Sequence, residues 1–354
     1  MNVAIIGAGV AGLACAKELN RFGIIPTIYE KRDKKDLPYM CSMAALNIYY
    51  NNMDVLSILR RRYNIGINPL GAIRHIEIFS PHKKAAIGGN LGYYFLRGAS
   101  ETSVINQLAQ GIKAKVNYNM NVDVGKIKNR YDYVVIATGD ASVSKQMNLW
   151  EDIANTWAIG SVVMGNMSDD TLSVRCESFD KGFGYICRIP IDKRKSSVFL
   201  TIPNMKDSDL EYYRRWLLFN KEKDCDILYN FEQKVNVGKL KVHSFDNILI
   251  TGNSGGFLDP FLGFGFYNAA ATGTLAARAI AGKLNYEKAI TPFKEQQSDL
   301  LTLRKTFDGY KNNDIDKLVA VLGTYPVKRL IYGKHLNEVK LSSLLIRFFN
   351  DGNN

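Results

Sequence analysis

The sequence is short of the residues that staple or metallate a fold. Its five cysteines, Cys15, Cys41, Cys176, Cys187 and Cys225, are odd in number, scattered and free of any CxxC pair, which argues against a disulfide framework or a zinc site. The four histidines are not spaced as ligands, so no metal is expected. No apolar run reaches the roughly eighteen residues that would span a bilayer. The N-terminus enters a strand directly, with no charged leader or cleavage site, and a cytoplasmic protein is expected. No RNP or zinc-finger motif occurs, so nucleic acid is not an expected partner. Internal repeats and low-complexity tracts are also missing.

What is there suits a globular chain. The 354 residues are 46% hydrophobic and 23% charged, enough for one large domain or two modest ones. A net charge of +12 is compatible with an anionic membrane surface or a phosphorylated substrate.

Periodicity orders the first half. Residues 2–6 read as a buried parallel strand, 10–22 as a helix ended by Gly23, and 25–30 as a second strand. A charged loop from Lys31 to Asp36 leads to Pro38 and a helix over Ser42 to Arg62. Alternating strands follow at Ala72–Phe79 and Tyr93–Arg97, and Ser100 is placed to cap a helix to about Ala109. Tyr133–Ile136 is a further buried strand. From 151 to 240 short β runs (Ser161–Met164, Tyr185–Ile189, Ser197–Ile202) surround one helix at Asp207–Phe219, which predicts an antiparallel sheet. Asn247–Ile250 is again a strand, leading through a loop to a small-residue helix, Asn268–Ala281. Residues 287–349 read as helical, interrupted at Gly323 and Pro326.

Three segments carry the chemistry. In the first, Gly7-Ala8-Gly9-Val10-Ala11-Gly12 joins strand to helix. Gly7 permits the tight turn, Gly9 admits a pyrophosphate, and Gly12 lets the helix close on the strand. Glu30, ending the next strand, is placed to accept from ribose hydroxyls. An NAD protein would satisfy the same pattern. The second is Ala137-Thr138-Gly139, after its own strand. In the third, Gly252-Asn253-Ser254-Gly255-Gly256-Phe257-Leu258-Asp259-Pro260-Phe261-Leu262-Gly263-Phe264-Gly265 opens a helix whose positive end faces the loop. There Asn253 can accept from a ribityl hydroxyl. A dinucleotide held from both ends points to FAD.

The combination resembles the geranylgeranyl reductase family. The matching parts are Gly7-x-Gly9-x-x-Gly12 with Glu30, Arg97 after a strand, and the Gly252-x-x-x-Gly256-x-x-x-Pro260-x-x-Gly263-x-Gly265 loop. The likeness spans most of residues 1–285 and is strong in the two glycine loops. It implies a p-hydroxybenzoate-hydroxylase-like α/β fold: a Rossmann-type FAD-binding domain, an antiparallel β-rich substrate domain and a helical C-terminal segment. The FAD-binding domain is assembled from 1–48, 90–150 and 241–285, the substrate domain from 49–89 and 151–240, and the segment from 286–354. The family resemblance also implies an FAD enzyme that saturates isoprenoid double bonds. Tyr185-Ile186-Cys187-Arg188-Ile189-Pro190 stands where the family has an aromatic substrate motif with a tryptophan. Flavin halogenases carry two tryptophans there, and both are missing. Asn253 replaces an aspartate, Thr138 replaces the aspartate of an Asp-Gly turn, and Ser42-Met43 replaces two glycines after Cys41.

The expected cofactor-binding residues are thus Gly7, Gly9, Gly12, Glu30, Arg97, Thr138, Gly139, Gly252, Asn253, Pro260, Gly263 and Gly265, with Tyr185 and Cys187 facing the substrate. Cys41 is read either as a thiol that gives a proton to the substrate or as a small buried hydrophobe. Arg97 either holds FAD phosphate or makes a surface ion pair. With no second GxGxxG unit, reductant must come from outside, as NAD(P)H or a ferredoxin-like carrier. The basic and apolar run from Lys328 to Phe349 suits peripheral contact with an anionic membrane, or a core-packed helix with a solvated basic face. Two other functions fit the motifs: an FAD monooxygenase of an aromatic or lipid substrate, and a non-catalytic FAD- or lipid-binding flavoprotein.

Overall fold

Val3–Ile6 is buried along its whole length, as a strand covered on both faces must be. It pairs in parallel with Thr27–Tyr29 on one side and Tyr133–Ile136 on the other. A computed structural model describes residues 1–33, 40–50, 53–166, 168–221, 225–325 and 327. Among these the strands form two sheets. The smaller runs Ser244–Phe245, Ile248–Ile250, Tyr133–Ile136, Val3–Ile6, Thr27–Tyr29, Lys115–Asn117, parallel except for its first pair. The chain leaves Val3–Ile6 first toward Thr27 and only later fills the opposite side. The strand order therefore reverses there, and the crevice beyond its carboxyl end is the place where such sheets take ligands.

Two helices pack together beside the smaller sheet, Val10–Arg21 and Phe266–Ile280. Small residues let them meet: a β-carbon on Gly273 would stand 2.2 Å from the Ala11 carbonyl oxygen. Glu18, nearly fully buried, binds Arg278 Nε at 2.7 Å and Arg21 at 2.9 Å.

The larger sheet runs Asp226–Leu240, Trp150–Met164, Lys195–Pro203, Gly182–Pro190, Thr171–Phe179, Gly71–Phe79, Lys84–Leu96, Ser42–Leu46. All its pairings are antiparallel except that of Gly71–Phe79 with Thr171–Phe179. Helices Thr291–Asp308 and Asn312–Leu322 cover one face, with Leu300, Leu303, Phe307, Ile315 and Val319 in a core shared with Phe183, Tyr185 and Ile73. No helix among the described residues is long and apolar enough to cross a membrane.

Several sequence expectations need correction. The helix expected over Ser42 to Arg62 is a strand, Ser42–Leu46, a single 3-10 turn and a helix limited to Val55–Tyr63. Met43-Ala44-Ala45-Leu46 are good helix formers, but their pairing with Met43↔Phe95 and Ala45↔Tyr93 overrides that preference. The following helix is capped by Ser103, not Ser100, because the Ser103 hydroxyl is the one that accepts from Asn106 N–H. The short β runs are parts of strands up to fifteen residues long, and Thr171–Phe179 and Asp226–Leu240 join them in the antiparallel sheet expected over 151–240. Ser42–Leu46 and residues 90–96 pair within the larger sheet, although the sequence boundaries group them with the dinucleotide-binding part. Most of the Lys31–Pro38 loop, and the run from Lys328 to Phe349, lie outside the described residues.

Candidate cofactor and substrate cleft

Four neighbouring parallel strands end on one side of the smaller sheet, and each delivers a segment singled out above. Val3–Ile6 runs into Gly7, Thr27–Tyr29 into Glu30, Tyr133–Ile136 into Thr138-Gly139, and Ile248–Ile250 into Asn253. Facing them is the larger sheet. Between the two lies a cleft of about 1860 Å³, well above the few hundred to 1,000 Å³ of a single small-ligand pocket. Gly7, Gly9, Glu30, Arg97, Thr138, Gly139, Asn253, Pro260, Gly263 and Gly265 all line it, as do Cys41 and Tyr185.

The first loop has the shape that a pyrophosphate requires. Gly7 sits at φ +108°, and a β-carbon there would strike the Ala137 carbonyl oxygen at 2.3 Å. Gly9 has the opposite surroundings, with nothing within 4 Å of its β-carbon position, so its lack of a side chain leaves open space in the cleft. Glu30 anchors the turn by accepting from Ala8 N–H at 2.8 Å and Arg32 N–H at 3.0 Å. A carboxylate has about four lone-pair sites, and two therefore remain for ribose hydroxyls.

The long loop is held from inside. Asp259 is almost fully buried and accepts from Phe261 N–H at 2.7 Å, Leu262 N–H at 3.1 Å and the Tyr49 hydroxyl at 2.9 Å. Burial nevertheless wins over these bonds and pushes its carboxyl up to about 6. The Tyr185 hydroxyl donates to the Leu262 carbonyl, tying the larger sheet to the loop. The helix Phe266–Ile280 begins at once after Gly265, so its unpaired N–H groups lie next to the loop that borders the cleft.

On the opposite wall, the half-buried Cys41 is bridged to Arg97, whose backbone N–H donates to the Cys41 carbonyl at 2.8 Å. Burial raises the Cys41 thiol pKa, against the pull of the Arg97 charge, and the sulfur stays protonated at neutral pH. Arg97 Nη1 donates to Gln233 Oε1 at 3.0 Å, so its partner is not a carboxylate as the surface ion-pair reading required. The edge strand Asp226–Leu240 gives the cleft seven consecutive residues, Phe231 to Val237.

Three sequence-predicted residues do not line the cleft. Gly12 is packed under Gly7, where a β-carbon would lie 2.0 Å from the Gly7 carbonyl oxygen. Gly252, at φ +62°, turns the chain behind Asn253, and its β-carbon position is 2.8 Å from Ala11 Cβ. Cys187 is 1% exposed within the core. It lies two residues from Tyr185 in the same strand, but its short side chain stops inside, whereas the tyrosine ring reaches the loop. Two further residues line the cleft that no sequence motif marks as functional, the buried carboxyl Asp259 and Arg304. A signal for Arg304 was present: it shares the apolar stripe of Leu300, Leu303 and Phe307, where a cation is out of place.

Comparison with known proteins agrees with this geometry. Residues 1–157 match the model of the pyridine nucleotide-disulphide oxidoreductase family. Among solved structures, the chain is similar to a geranylgeranyl bacteriochlorophyll reductase-like protein from Thermoplasma acidophilum, with TM-score 0.72 and 16% identity over 99% of this chain and 98% of that one. It is also similar to the flavin-dependent brominase Bmp2, with TM-score 0.66 and 16% identity over 100% and 99% of the two chains. A variant of halogenase PltM in complex with FAD matches with TM-score 0.63 and 13% identity over 98% and 90%. At such identities the likeness is one of fold. The chain has an α/β fold with a Rossmann-type FAD-binding region, the fold of FAD-dependent oxidoreductases.

Proposed function

We propose that the chain is an FAD-dependent oxidoreductase that reduces carbon–carbon double bonds of an isoprenoid, geranylgeranyl-type lipid. The observation that carries this reading is that Cys41, whose thiol burial holds above the ordinary range, lines the same cleft as the glycine loops. Gly9 and Gly139 leave the room that a pyrophosphate needs, Glu30 would hold the adenosine ribose, Asn253 the ribityl chain, and Arg97 a phosphate oxygen. Bound there, FAD reduced by NAD(P)H or a ferredoxin-like carrier would supply the hydride. Cys41 would give a proton to the second carbon of the double bond and recover it from water. Tyr185, with Phe199, Phe231 and Phe261 beside it, offers an apolar wall to a polyprenyl tail. A basic, peripheral docking of the protein on an anionic membrane would bring such a lipid within reach.

The test is anaerobic. The flavoprotein is reduced and mixed with polyprenyl substrates, and product mass is read. Reoxidation with gain of two hydrogens supports the reductase. Gain of one oxygen after air is admitted favours a monooxygenase, a reading that the brominase-like and halogenase-like folds keep in view. A normal flavin that no polyprenyl substrate reoxidises counts against both lipid reduction and Cys41's part in it.

A further inference from the structure

Arg304 is 6% exposed on the helix Thr291–Asp308, and its guanidinium is only partly satisfied. Nε binds Asp308 Oδ1 at 3.0 Å, and Nη2 donates to the Phe183 carbonyl at 2.9 Å. Nη1 has no partner among the described residues, and Arg304 lines the cleft. Its charge acts on the buried Tyr185 phenol, so it sits at the sheet side of the long loop. A buried ion pair seldom adds stability over apolar residues of similar volume. Packing on Leu300, Leu303 and Phe307 would be served as well by leucine or methionine, so stability alone does not account for a guanidinium there.

We propose that Arg304 is an anion-binding subsite that takes one carboxylate or phosphate oxygen of the substrate on Nη1. Asp308 and Phe183 fix the plane of the guanidinium and use two of its five N–H donors, which leaves both N–H groups of Nη1 open to an anion's oxygen. Asp259 is engaged by Phe261, Leu262 and Tyr49, which take three of its about four lone-pair sites, and it makes no hydrogen bond or ion pair with Arg304 among the described residues. Tyr185 and Phe261 beside it accept an apolar body, so the ligand is an amphiphilic acid with its head inside the cleft. This rests on reading the sheet side of the cleft as the substrate side, and it adds which end of the substrate enters first.

The experiment is calorimetric titration of the FAD-loaded protein with octanoate, octyl phosphate and octanol. At least one of the two acids is expected to bind about tenfold or more tightly than the alcohol, the worth of one charge-assisted hydrogen bond, and the comparison between them identifies the head group. R304Q and R304M should both lose the preference while keeping the octanol affinity, and R304M retains the apolar packing if R304Q does not fold. Equal affinity for acids and alcohol, no binding of either acid, or a preference that survives in both variants overturns the proposal. No turnover is needed, so a failure of the reductase assay leaves this result standing, and a failure here leaves that assay unaffected.

Discussion

The Glu30 carboxylate and the Ala8 N–H are joined across the first strand–helix turn at 2.8 Å. The bond makes the acid that we propose holds the ribose part of the glycine loop itself. The loop and its acid are therefore set before any ligand arrives, and less ordering is left for binding to accomplish. Glu30→Gln should keep one acceptor for Ala8 but lose the charge that strengthens the ribose contacts. A weakening of FAD binding by about tenfold is expected, read by flavin fluorescence quenching on titration of the apoprotein.

The glycines divide into those that serve packing and those that serve the cleft. Gly273→Ala forces the two helices apart at the Ala11 carbonyl and should lower unfolding free energy by about 2 kcal/mol in urea. Gly9→Ala meets nothing within 4 Å, and its φ of −81° suits alanine. It should leave stability within about 0.5 kcal/mol and weaken FAD binding about tenfold or more. Equal effects of the two substitutions on stability would contradict this division.

Asp259 gives a pH signature. Its folded carboxyl is pushed up to about 6 from a usual value of 3.8, so the folded state holds the proton more tightly than the unfolded chain. That contribution to stability is complete below the unfolded value and is lost as pH rises through about 6. Asp259→Asn cannot ionise. The stability of the variant relative to wild type, read from urea unfolding, should therefore rise between pH 5 and pH 7, by about 1 kcal/mol in unfolding free energy. A pH-independent difference would show that Asp259 titrates normally.

Cys41 gives a kinetic one. Because burial lifts its thiol above the ordinary range, the alkaline loss of activity should fall above pH 9, since only the thiol form can donate. Cys41→Ala should retain FAD and slow substrate-driven flavin reoxidation by about a hundredfold, whereas Cys41→Ser should restore part of the rate. An unchanged rate in Cys41→Ala, measured by stopped-flow absorbance, would make the thiol a packing residue.

The glycine-loop side of the cleft is legible in the sequence because its requirements are local. Gly7, Gly9 and Glu30 lie within one strand–helix–strand unit, and Gly252–Gly265 is a single loop, so spacing alone carried the inference. The side formed by the larger sheet is assembled from residues far apart in sequence. Cys41, Tyr185 and Phe231 line one cleft because the larger sheet joins strands from both halves of the chain, and Arg304 reaches it from the helix Thr291–Asp308. For the same reason Met43–Leu46 reads as helix in sequence: its own residues favour one, and only its pairing with Tyr93–Phe95 makes it a strand. Cys187 shares a face with Tyr185 by period-two alternation, but alternation reports direction and not reach. Whether a side chain meets the cleft also depends on its length and on what covers it.

The most direct measurement is single-turnover reaction of the reduced, FAD-loaded protein with a geranylgeranyl lipid under strict exclusion of oxygen, followed by mass analysis of the lipid. The account predicts flavin reoxidation matched by a product that has gained two hydrogens, one of them from solvent. A flavin that stays reduced until air is admitted, with a product that has gained one oxygen, would contradict it.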